Sequence, residues 1–134
     1  MSVWRRKALA LFPSLKDELT GDSYTTYSLF MDLRRMVREA HHDNDEEMLR
    51  NIYCFAQWCL RQKSEDMWNA AGVSFYEHLF DDYRSGWHLI VPWLSPTVIS
   101  DVSSLWELFH SEEELKQIHK LINERKSTRY QECY

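Results

Sequence analysis

Ten residues from Val73 to Asp82, VSFYEHLFDD, gather a glutamate, a histidine and two aspartates among aromatic side chains. On an α-helix, side chains three and four positions apart share a face, so Ser74, Glu77, His78 and Asp81 would stand together. A carboxylate that orients an imidazole is the basis of general acid–base chemistry. Adjacent positions such as Glu77 and His78, however, point about 100° apart on a helix, and neither a nucleophile nor a phosphate-binding glycine loop accompanies them. A helix that is apolar nearly all round still needs one polar stripe where it meets water. The spacing therefore predicts an exposed stripe available to a partner, in preference to a catalytic set.

Two further constellations suggest metal chemistry. Glu39-Ala40-His41-His42 and Glu107-Leu108-Phe109-His110 both fit Glu-x-x-His, the pair that di-iron helical bundles use twice. Both fall at expected helix ends, whereas a di-iron site needs them mid-bundle with two more inward glutamates. His41, His42 and His110 are better read as charges near the negative ends of helix dipoles. Cys54, Cys59 and Cys133 are an odd number with no C-x-x-C, so they read as reduced thiols that neither form a disulfide framework nor bind zinc. Cys59 lies on an apolar stripe as a small core residue, and Cys54 lies on another face with no histidine beside it in sequence. The chain reads as a non-enzyme without metal or cofactor.

The elements that position these residues are helical. Asp43 with Glu46, and Ser111 with Glu114, fit capping boxes. Ser95-Pro96 offers a third helix start, with proline where its missing N–H costs nothing. Phe12-Pro13-Ser14 opens a short helix ending at Thr20-Gly21. Apolar residues recur at three and four positions in Phe30, Leu33, Val37 and Ala40, in Leu49, Ile52, Ala56 and Cys59, in Val98, Val102, Leu105 and Phe109, and in Leu115, Ile118 and Ile122. A central helix is expected from about Asp66 to the end of VSFYEHLFDD, with Trp68, Ala71, Phe75 and Leu79 inward. After a turn at 82–86, the apolar octet Trp87–Leu94 forms a short helix or a buried extended connector, because Pro92 disfavours helix at Val91. The expected fold is all-α: one helical-bundle domain over 1–134, of about five to seven helices with short connections and a frayed tail from about Ser127.

Composition agrees. The 134 residues are 44% hydrophobic and 14% aromatic, with only three Gly and three Pro, a balance that favours helices over a turn-rich β fold. A net charge of −5 argues against a general nucleic-acid binder, which draws its affinity from a basic surface. The apolar run near the start is cut by Pro13, Lys16 and Asp17 below signal-peptide length. No segment approaches the roughly 20 apolar residues of a membrane span, and the expected location is the cytoplasm. Arg5, Arg6, Lys7, Arg34, Arg35 and Arg38 make the first part of the chain basic, while Asp43 to Glu47 and Glu112 to Glu114 are acidic runs. Such acids either steer a basic partner or serve only as helix-start charges. Trp68, Trp87, Trp93 and Trp106 fall in apolar patterns and are expected in the core. Trp58 shares a stripe with Asn51 and Cys54 away from the core face, so it is either an interface anchor or covered by a neighbouring helix.

The runs Val73-Ser74-Phe75-Tyr76-Glu77-His78-Leu79-Phe80-Asp81, Val91-Pro92-Trp93-Leu94-Ser95-Pro96 and Leu105-Trp106-Glu107 carry a likeness. The segment from Trp68 to Trp106 resembles a family of small bacterial all-helical domains of uncharacterised biochemistry, some members acting as immunity proteins of polymorphic or contact-dependent toxins. These residues are mostly apolar or capping, so they speak for fold more than activity. The resemblance implies a protein that neutralises a cognate toxin, one with a basic surface, by blocking or locking its active site. Candidate partner-binding residues are Asp43, Asp45, Glu46, Glu47, Glu77, His78, Asp81 and Asp82, with Trp58 and Tyr83 as anchors. The basic first third could instead meet an acidic partner. The alternatives are a non-inhibitory helical adaptor and, third, a metal-dependent helical-bundle enzyme. The sequence gives no indication of oligomeric state.

Overall fold

A computed structural model describes residues 1–81 and 84–131, and every regular element among them is helical. The chain is all-α, as its periodicities predict. Helix α1 (Val3–Leu11) leads through a 3-10 turn at Pro13–Leu15 into α2 (Lys16–Leu19). Helix α3 (Thr26–Asp43) opens on a reciprocal Thr25–Ser28 capping box and stops where Asn44 adopts a left-handed φ of 55°. There follow α4 (Glu46–Leu60), α5 (Glu65–Ser74), α6 (Trp87–Ile90), α7 (Pro96–Trp106) and α8 (Glu112–Glu124). Among the described residues there are eight α-helices against the expected five to seven, because α2 and α6 are separate four-residue turns.

Two of the three expected caps form as read. Ser95 Oγ accepts the Val98 N–H at 3.1 Å, and Ser111 and Glu114 cap each other reciprocally at the start of α8. The third shifts by two residues. Asp43 is the last residue of α3, and Asp45 caps α4 by accepting the Met48 N–H at 3.1 Å. The left-handed Asn44 reverses the chain between them, so only the acid after the reversal can face the new helix.

The largest departure concerns the expected central helix, which ends at Ser74. Phe75 leaves helical geometry at φ −125° and ψ −71°, and Tyr76–His78 form a 3-10 turn. A straight helix would leave some of its apolar side chains in water. The break lets Phe75, Tyr76, Leu79 and Phe80 all be buried, which favours it by roughly 1.5–3 kcal/mol per large side chain. The phase of α5 turns Met67, Ala70 and Ala71 inward and leaves Trp68 42% exposed, contrary to its expected core position. Trp87, Trp93 and Trp106 are buried as expected.

Helices α3, α4 and α5 pack mutually around the core. The run Ala70-Ala71-Gly72 lets α5 approach its neighbours closely, and a Cβ on Gly72 would lie 3.5 Å from Leu105 Cδ1 of α7. A line of rings crosses the interior: Phe12 on Phe55, Phe55 on Phe30, Phe30 on Phe75, Phe75 on Tyr53, and Tyr53 stacked on Trp93. Helix α7 covers α5 and the 3-10 turn, and the Trp106 indole N–H donates to the Tyr76 carbonyl at 2.9 Å.

The octet Trp87–Leu94 is helical, with α6 running into a 3-10 turn at Val91–Trp93 on which α8 rests. Beyond α8 the described residues to Gln131 form no regular element, and a few contacts tie them to the rest of the chain. Arg125 donates to the Val91 and Leu94 carbonyls, the Arg129 N–H donates to the Pro92 carbonyl at 2.6 Å, and the Arg129 guanidinium pairs with Glu46. The cysteines also divide. Cys59 is a buried free thiol whose pKa burial pushes up, but Cys54 is disulfide-bonded rather than reduced; Cys133 lies outside the described residues. Among those residues no helix is long and apolar enough to cross a membrane.

Candidate functional site

The C-terminal half of α3 forms one wall of a groove of about 540 Å³. Arg34, Arg35, Arg38, His41 and His42 line that wall because they flank the Leu33, Val37 and Ala40 stripe that seats α3 in the core. Val37, Phe75 and Leu79 line the floor, and Ser85, Gly86, Leu89 and Ile90 the opposite side. The break at Phe75 leaves Phe75, His78 and Leu79 of the 3-10 segment lining the groove together with α3 and residues 85–90.

Charges in the groove are partly satisfied. Arg35 lies 3.4 Å from Glu39 and 3.8 Å from Asp32, and His42 lies 3.1 Å from Asp43. Arg34 meets the Met31 sulfur at 3.7 Å. His41 is not the expected helix-end charge. Its Nε2 sits 2.7 Å from the Tyr53 hydroxyl, and burial lowers its pKa from 6.5 to about 4. Burial also raises the Tyr53 hydroxyl well above its ordinary value. The pair is therefore neutral at pH 7, because desolvation outweighs the helix dipole. Both side chains keep their neutral forms, and a single proton is shared across the Nε2–hydroxyl contact.

Beside the groove runs a chain of acids and imidazoles. His78 Nε2 lies 3.3 Å from Glu77, and His78 Nδ1 lies 2.5 Å from Asp81. Asp81 is 3.7 Å from His110 Nε2, and His110 Nδ1 is 3.8 Å from Glu114. The His110 side chain is only 4% exposed, its nitrogens have no hydrogen-bond partner among the described residues, and its ring lies perpendicular to that of Trp87. Phe109 covers His78 at 5.2 Å. Glu77, His78 and Asp81 are thus together, as the sequence suggested, but through a 3-10 turn and with Glu77 buried instead of on an open stripe. Ser74 stays behind on α5.

The remaining sequence candidates scatter around this region. Asp43 lines the groove, Asp45 is occupied as a cap, Glu46 is paired with Arg129 and Glu47 is exposed. Trp58 is half-buried, stacked on Phe55 with the Lys7 ammonium 5.0 Å above its ring, so α1 covers it. Asp82 and Tyr83 lie outside the described residues. His110, expected near a helix end in water, is buried, while Glu107 is exposed and Glu39 and His42 are tied to other residues. The two Glu-x-x-His pairs do not converge, and among the described residues no group of three His, Cys, Asp or Glu is placed to hold a metal ion. The arginine wall and the His41–Tyr53 pair went unread in sequence as site residues; the only signal was three arginines flanking one apolar stripe.

The model of a family described as a domain of unknown function, DUF7674, matches residues 5–111. The chain belongs to the DUF7674 family. The match takes in the whole groove and ends at the Ser111 cap, so α8 lies beyond the DUF7674 segment. No curated protein matches the chain. No solved structure matches it either.

Proposed function

We propose that this protein is a non-catalytic inhibitor of the immunity type, which binds a cognate toxin stoichiometrically and holds it inactive through the face centred on the groove. The observation that carries the reading is the groove itself: an apolar floor rimmed by charged and imidazole side chains, with Leu89 44% exposed at its edge. Pockets of that make-up receive the anchor residues that dominate protein interfaces. Exposed acids such as Asp43, on the groove, and Glu47 would complement a basic area on the partner. The likeness of VSFYEHLFDD and its companions to immunity domains supports the inhibitory role.

The test is co-expression with the product of the gene immediately upstream. Expected are relief of that product's toxicity and a 1:1 complex on size-exclusion chromatography, both lost in Leu89→Lys while the melting temperature stays within a few degrees of the parent. A neighbour that binds but is harmless alone would replace inhibition with the adaptor reading, and neither rescue nor complex would overturn both. One observation favours a second reading. The His78–Asp81 pair borders the groove and has the make-up of an acid–base dyad. A lasting mass change in the partner, abolished by His78→Asn, would establish that enzymatic alternative; an unmodified partner supports stoichiometric binding.

A further inference from the structure

We propose that the groove is built for an apolar side chain that carries or adjoins a carboxylate, presented by the partner protein, with Arg34 as its principal ionic contact. This rests on the binding role proposed above and specifies the chemistry of the anchor.

Three observations converge. The floor is made by Val37, Phe75 and Leu79, and about 540 Å³ is enough for an aromatic side chain with its flanking backbone. Among the described residues, the charged side chains lining the groove are Arg34, Arg35 and Arg38 with Glu39 and Asp43, so guanidinium groups outnumber carboxylates there in a chain of net charge −5. A local excess of guanidinium groups in an acidic protein is unexplained by solubility and complements an anion. The three are also unequal. Arg35 shares its charge with Asp32 and Glu39, whereas the partner found for Arg34 is a neutral thioether. A thioether is a weak acceptor, so an arriving carboxylate gains a charge-assisted, bidentate contact there without breaking an ion pair.

The neighbouring groups decide the sign of the charge accepted. His42 is engaged by Asp43, His78 by Glu77 and Asp81, and Glu39 by Arg35, so each of these acids in or beside the groove already has a partner. His41 contributes a neutral polar edge and no charge. A cationic anchor would therefore compete with existing acid–imidazole contacts, while a carboxylate meets an arginine whose present contact is weak.

The probes are indole-3-acetate, indole and tryptamine, titrated into the full-length protein and followed by methyl resonances of Val37, Leu79, Leu89 and Ile90. Expected is saturable binding of indole-3-acetate, roughly tenfold tighter than indole, weakened by salt, with no groove shifts from tryptamine. Arg34→Gln should bring the acid's affinity down to that of indole without changing the melting curve. Equal binding of acid and indole, preference for tryptamine, or binding untouched by Arg34→Gln would each overturn the proposal. Arg34→Glu in the co-expression assay completes the test. Lost rescue supports a partner-borne carboxylate, whereas full rescue together with tight indole-3-acetate binding would assign the groove to a small molecule and overturn the partner assignment. Because the probe titration needs no toxin, a failed groove and a failed immunity role give separate results.

Discussion

His41 makes the stability of this protein depend on pH in a direction that can be worked out beforehand. In the folded chain burial holds its pKa near 4, against 6.5 for an unburied imidazole. The unfolded state thus takes up a proton below pH 6.5 that the folded state refuses until about pH 4. The contribution of a neutral His41 is complete above pH 6.5 and is lost as pH falls toward 4. At about 1.4 kcal/mol per pH unit, the whole effect is about 3 kcal/mol, of which about 2 kcal/mol disappears between pH 7 and pH 5. The assay is urea unfolding across that interval, comparing the parent with His41→Gln. Glutamine can still hydrogen-bond with the Tyr53 hydroxyl in either direction but does not titrate. The other histidines and the carboxylates titrate in both proteins, so they cancel in the difference. With a slope of about 2 kcal/mol per molar urea, the parent's midpoint should fall by roughly 1 M more than the variant's. Parallel losses in the two proteins would show that the fold takes up the His41 proton as readily as the unfolded chain and would refute the lowered pKa.

Two substitutions test the local architecture. Asp45→Ala should cost about 1 kcal/mol by uncapping α4, while Asp43→Ala, on the exposed last turn of α3, should stay within about 0.5 kcal/mol; thermal melts of both variants check the order, and a reversed ranking would move the cap back to Asp43. Gly72→Ala should stabilise by about 0.4–1 kcal/mol, because Gly72 is helical, its φ is not positive, and the new methyl reaches Leu105 at an ordinary 3.5 Å; a lowered melting temperature would mean that α5 and α7 have no room to spare.

What could be read from sequence is what local chemistry decides. Ser95 and Ser111 satisfy N–H groups three residues away, and the stripes on α3 and α4 need only their own period to be recognised. The position of the α4 cap was harder, because Asp43 and Asp45 both suit the role and the left-handed turn at Asn44 chooses between them. The break at Phe75 is not marked by a proline, and Gly72 just before it stays helical. It follows from four large side chains each finding a place inside, which is a property of the neighbours that receive them. The groove lies further still from sequence, since Arg34, Phe75 and Leu89 belong to three segments that meet only after packing. His110 was misplaced for the same reason: the Trp87 ring beside it is distant in the chain.

The line of rings through the interior gives the molecule an optical voice of its own. Trp93 and Tyr53 lie parallel at 5.5 Å, and Tyr53 in turn holds His41 at the edge of the groove. Rigid, asymmetric aromatic pairs of this kind absorb left- and right-handed light unequally in the near ultraviolet, apart from the amide signal of the helices. An occupant pressing on His41, or a proton arriving there, disturbs the stack at one end and is registered at the other, so no label need be attached to follow events in the groove.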